Sequence, residues 1–102
     1  VRDLQVLLDA IKTLGVRSQF TKALEELTEL NLAILHCMDG RDCYDNLLEE
    51  IIDAEIMIDQ LKIICLVRNT KLTADDVNML RDAKIARLAH RLEERKQKDK
   101  KE

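Results

Sequence analysis

Apolar residues return along this chain at intervals of three and four, the spacing of amphipathic helices. Leu4, Leu7, Leu8, Ile11 and Leu14 predict a first helix over residues 3–14. Gly15 follows where a helix C-terminus places its glycine. Ser18 reads as the N-cap of a second helix running to Met38. On that helix Phe20, Ala23, Leu27, Leu30, Ile34 and Met38 share one face. The polar run Asp39-Gly40-Arg41-Asp42 predicts a turn. A third helix is expected from Asp45 to Val67, and Asn69 and Thr70 begin a break. Thr73, with Asp76 three residues on, resembles a capping box in which Asp replaces Glu or Gln. The fourth helix carries Val77, Leu80, Leu88 and Leu92. Residues 93–102 contain no apolar side chain, which predicts a charged, disordered tail after a domain of residues 1–92.

The third helix is more apolar than a surface helix requires. At about 100° per residue, Leu47, Ile51, Ala54, Ile58, Leu61 and Cys65 form one arc, and Ile52, Ile56 and Ile63 a second on the far side. A helix that is apolar on two sides is packed on two sides, and in a chain of 102 residues the second side is expected to meet another subunit. The fold class is therefore all-α, a four-helix bundle-like protomer expected to assemble as a homodimer or homotetramer.

Composition agrees with helices: there is no proline and only two glycines. Phe20 and Tyr44 are the only aromatics, so a base-stacking platform is not expected. A net charge of −3 gives no reason to expect a nucleic-acid or membrane surface. The apolar stretch Ile51–Val67 is broken by Asp53, Glu55, Asp59, Gln60 and Lys62, so it does not read as a membrane span. No signal-peptide pattern is seen at the start. Cys37, Cys43 and Cys65 are odd in number and form no C-x-x-C pair. Cys37 and Cys65 fall among apolar neighbours, so buried free thiols in a reducing, cytoplasmic setting are expected.

Candidate chemistry lies in the carboxylates. Glu26 and Glu29 on the second helix are i, i+3, as are Glu50 and Asp53 on the third, so each pair sits on one face. If the two helices pack antiparallel across their short loop, the pairs come opposite one another. Carboxylates gathered away from water repel each other and favour a cation, and oxygen donors suit Mg²⁺, with Mn²⁺ as a substitute. Either pair alone is more often an ordinary solvated helix face; the two together, flanked by apolar residues, favour a metal site.

Glu25-Glu26-Leu27-Thr28-Glu29, followed by Glu50-Ile51-Ile52-Asp53, resembles the E-E-x-x-E … E-x-x-D signature of the all-α NTP pyrophosphohydrolases. The wider runs Lys22–Leu30 and Asp53–Lys62 are similar to the small MazG-like proteins of phages and Gram-positive bacteria. The resemblance covers roughly residues 3–92. It implies a Mg²⁺-dependent hydrolase that cleaves a nucleoside triphosphate between its α- and β-phosphates, giving a monophosphate and pyrophosphate. It implies metal binding by Glu26, Glu29, Glu50 and Asp53, with Glu25 as a group supporting those ligands or a helper for the attacking water, although a plain solvated helix residue is the commoner reading of Glu25. Lys84 and Arg87 resemble the K-x-x-R that follows in MazG-like proteins, which implies contact with substrate phosphates, although a plain surface pair is as common. His36 reads as a surface residue, and His90, near the end of the last helix, carries no signal. With no glycine-rich phosphate loop and no nucleophile paired to a base, charge and metal must hold the triphosphate. Two alternatives stand beside this: a non-catalytic helical interaction module, and a regulatory relative that binds nucleotide without cleaving it.

Overall fold

A computed structural model describes residues 2–101 and is all-helical, with no strand among them. The elements are α1 (Arg2–Leu14), α2 (Val16–Met38), α3 (Tyr44–Arg68) and α4 (Ala74–Lys101). The chain divides into two units, one holding α1 to α3 and ending at Arg68, the other beginning at Asn69 and holding α4. None of the four helices is long and apolar enough to cross a membrane.

One residue separates α1 from α2. Gly15 adopts φ +88°, a region costly for any residue with a Cβ, and its N–H donates to the Ile11 carbonyl at 2.9 Å, closing α1. Its own carbonyl accepts from the Gln19 N–H at 3.1 Å and opens α2. Gly15 thus ends one helix and begins the next, and no side chain caps α2. The expected Ser18 cap is corrected: the turn at Gly15 starts α2 at Val16, which leaves Ser18 inside the first turn.

At the other end, α2 and α3 are joined across Asp39–Cys43. Gly40 again has positive φ (+79°), and its N–H bonds the Cys37 carbonyl at 3.1 Å. This tight reversal brings the Cα atoms of Cys37 and Cys43 to 5.4 Å, and the two are disulfide-bonded. The expectation of free thiols is corrected for this pair, and the expectation of a buried Cys65 is corrected as well, since it is exposed.

The α2–α3 hairpin is the main packing contact of its unit, and its seam follows two heptad-like series. On α2 the inward positions are Gln19, Ala23, Glu26, Leu30, Ala33 and Cys37; leading into and along α3 they are Cys43, Leu47, Glu50, Ala54, Met57, Leu61 and Ile64. All of these are buried or half-buried. Alanines at three of the positions (Ala23, Ala33 and Ala54) let the helix axes approach closely. The phase differs from the sequence expectation. Ile58 and Cys65 were expected inside and are exposed, as are Phe20, Ile34 and Met38 on α2. Met57, Ile64 and Gln60 take the interior instead. A partner helix selects a 3.5-residue seam, and over six turns that seam drifts away from a stripe counted at 3.6. Of the second arc on α3, Ile52 and Ile56 are exposed and Ile63 is half-buried.

In the second unit the capping box forms as read. The Thr73 N–H donates to Asp76 Oδ2 at 2.8 Å, and the Asp76 N–H donates to Thr73 Oγ1 at 3.2 Å. The helix then runs without a break to Lys101, through the stretch where a disordered tail was expected. Pairs spaced i, i+4 support it: His90 with Glu94 at 2.6 Å, Arg95 with Asp99 at 3.3 Å, and Gln97 with Glu93 at 3.1 Å. Lys98, Lys100 and Lys101 in the last turn oppose the negative end of the helix dipole.

Candidate metal centre

Midway along the hairpin, the seam carries charge where apolar side chains would be expected. Glu26 on α2 and Glu50 on α3 occupy inward positions, and Glu29 stands one turn on from Glu26 at the rim. One carboxylate oxygen from each of the three lies within 4.8 Å of the others. Glu26 is 8% exposed, Glu50 is half-buried and Glu29 is exposed, so the group opens to solvent on the Glu29 side. Glu26 Oε2 and Glu50 Oε2 are buried and have no hydrogen-bond partner. Orphaned carboxylate oxygens of this kind are costly unless a cation reaches them.

The electrostatics reflect the crowding. Loss of hydration, repulsion from Glu29, a hydrogen bond with Glu29 that needs a shared proton, and then Asp53 and Glu26 all push the Glu50 carboxyl above its ordinary value. One cation partly answers the charge. Lys22 Nζ lies 2.9 Å from Glu26 Oε1 and 3.9 Å from Glu25 Oε2. Its bond to Glu26 and the attraction of that carboxylate, with smaller contributions from Glu25 and Glu29, hold the ammonium above the usual lysine range against some loss of hydration.

Asp53 is exposed one turn after Glu50 and lies outside the converging three, though its charge reaches Glu50. Glu25 is exposed beside Lys22. Lys84 and Arg87 stand one turn apart on α4, exposed, in the other unit, and neither is in an ion pair among the described residues. His36 is exposed, and His90 is taken up by Glu94. Sequence reasoning missed the buried Gln19 and gave Lys22 no role, although the Lys22–Glu26 spacing of four was visible.

Three carboxylates converging within 4.8 Å, two of them with a buried unpartnered oxygen, are a hard donor set of the type that could hold a divalent cation. Neither a family model, a curated protein nor a solved structure matches the chain.

Proposed function

We propose that the chain is a Mg²⁺-dependent nucleoside triphosphate pyrophosphohydrolase of the MazG-like kind. The observation that carries the reading is the convergence of Glu26, Glu29 and Glu50 within 4.8 Å, drawn from both halves of the E-E-x-x-E … E-x-x-D pattern. Glu26, Glu29 and Glu50 would hold the cation, with Asp53, one turn after Glu50, as the fourth carboxylate that the pattern supplies. When bound, Mg²⁺ (or Mn²⁺) would neutralise the phosphoryl oxygens and the charge growing on departing pyrophosphate. Glu25, outside the metal set, orients the attacking water. In the reaction the water oxygen bonds to one of the two phosphorus atoms of the α–β anhydride as the bond from that phosphorus to the bridging oxygen breaks. The bridging oxygen keeps the electron pair on the departing phosphate, and the water's proton passes to solvent.

The rigidity of the hairpin is what makes such a site effective. The seam fixes Glu26 and Glu50 on packed backbone, so little ordering remains to be done when substrate arrives. A homodimer or homotetramer completes the fold: Leu48, Ile52, Ile56 and Val67 line the outer side of α3 and are exposed.

A second reading is favoured by the Lys22–Glu26 ion pair, which is what a non-catalytic helical interaction module would use to neutralise a buried carboxylate. Pyrophosphate release from a panel of NTPs and dNTPs, with Mg²⁺ and with EDTA, separates the two. Magnesium-dependent release supports the hydrolase. No release from folded protein supports the module.

A further inference from the structure

Lys22 stands one turn before Glu26 on α2, and its side chain is 54% exposed while that of Glu26 is 10% exposed. The lysine thus reaches inward from solvent to a carboxylate that water barely touches. Among the described residues it is the one cation in ion-pair contact with the three converging carboxylates. An exposed pair of this spacing would carry little meaning; here one end is buried and its second oxygen, Oε2, is without a partner. Ser18, Lys22, Glu25 and Glu29 follow each other at helical spacing along one strip of α2, with Glu26 on its inner border. Beside Lys22 lies a shallow, open stretch of the α2 surface formed by Arg17, Ser18, Thr21, Lys22 and Glu25. Arg17 is in no ion pair among the described residues.

We propose that Lys22 is a positioning residue that holds Glu26 in the metal-free protein, yields it to a divalent cation, and turns to the triphosphate of the substrate. The inference rests on the metal-site reading above. Two facts of charge drive the exchange. An ammonium left on Glu26 would stand within about 5 Å of a divalent ion bound there, and the two repel. Released, it has a short swing along this open surface, where Arg17 and the Ser18 hydroxyl offer further donors to phosphate oxygens and outnumber the one opposing carboxylate, Glu25. A polyphosphate leaving the carboxylates toward the N-terminus of α2 meets Lys22 first and Arg17 next.

The substitution Lys22→Met then has opposite effects on two ligands. Mn²⁺, followed through the spin signal of the free ion, should bind the otherwise unchanged chain about tenfold more tightly once the competing charge is gone. Inorganic tripolyphosphate, titrated onto Mn²⁺-saturated protein, should bind about tenfold more weakly for want of a charge-assisted bond. Lys22→Arg, which keeps the charge, should leave both constants within about threefold of the unchanged protein. Equal Mn²⁺ affinity in unchanged protein and Lys22→Met overturns the inference while leaving the metal site standing, and so does weaker Mn²⁺ binding in the variant. Tighter Mn²⁺ with unchanged tripolyphosphate overturns the hand-over and reduces Lys22 to a counter-ion. Unchanged protein that takes up no Mn²⁺ removes the metal-site reading, and this inference with it.

Discussion

Reducing the Cys37–Cys43 bond should destabilise the α2–α3 hairpin by about 2 kcal/mol. The two cysteines are six residues apart, and a loop that short restricts the unfolded chain by roughly 7 cal/mol/K in the loop-entropy treatment, or about 2 kcal/mol at room temperature. For a unit the size of α1 to α3, that should lower Tm by about 10–15 °C. The bond also ties the last turn of α2 to the start of α3, and so limits fraying of the seam that carries Glu26 and Glu50. The assay is thermal unfolding followed by helical circular dichroism, with and without a phosphine reductant, alongside a thiol titration. Oxidised protein should show one reactive thiol, the exposed Cys65, and reduced protein all three. Cys37→Ala/Cys43→Ala should melt near the reduced protein and ignore the reductant. Full conversion to three thiols with Tm moved by less than about 3 °C would refute the reasoning.

Four further outcomes follow from the same geometry. Ala54 is 1% exposed between the hairpin helices, so Ala54→Leu should cost about 1–3 kcal/mol by overpacking, read as a lower denaturant midpoint. Gly15→Ala should cost about 1–2 kcal/mol, because φ +88° is strained for any L side chain even though the space around it is open. The raised Glu50 carboxyl means that the folded state binds more protons than the unfolded state just above the ordinary glutamate pKa. Metal-free protein should therefore lose stability as pH rises through that window, Glu50→Gln should flatten the slope, and saturating Mg²⁺ should reverse it; parallel pH profiles for the two proteins would count against the crowded site. Light scattering at micromolar concentration should give a dimer or larger, and Ile52→Glu/Ile56→Glu should shift it to monomer.

The parts of the fold visible in the sequence are those set by local chemistry. Gly15, the Asp39–Asp42 turn and the Thr73–Asp76 box each act on their own few residues. The end of α1, the end of α2, both ends of α3 and the start of α4 fall within one residue of where they were expected, whereas α2 starts three residues before the Ser18 reading implied. What depends on a partner was less visible. Counting at 100° per residue treats α3 as though it were alone, whereas α2 chooses which positions face inward, and so Met57 and Gln60 displaced Ile58. The disulfide was hidden because its spacing resembles no familiar pair, and only the reversal at Gly40 brings the two cysteines together. The helical 93–101 stretch was legible in part: its composition suggested disorder, but the i, i+4 pairs of Arg95 and His90 were there to be read. The carboxylate group was suggested by two i, i+3 pairs on neighbouring helices. Sequence spacing alone did not reveal that Glu26 and Glu50 take seam positions while Asp53 stays at the surface, because that follows from the crossing of the two helices.

The most direct test is pyrophosphate release from ordinary and modified nucleoside triphosphates, with Mg²⁺ and with EDTA, by unchanged protein, Glu50→Gln and Asp53→Asn. Magnesium-dependent release that falls by more than about 100-fold in both variants, while their helical content is kept, is the predicted result. Undiminished release in both variants, or no release by folded, Mg²⁺-supplied protein, would contradict the account.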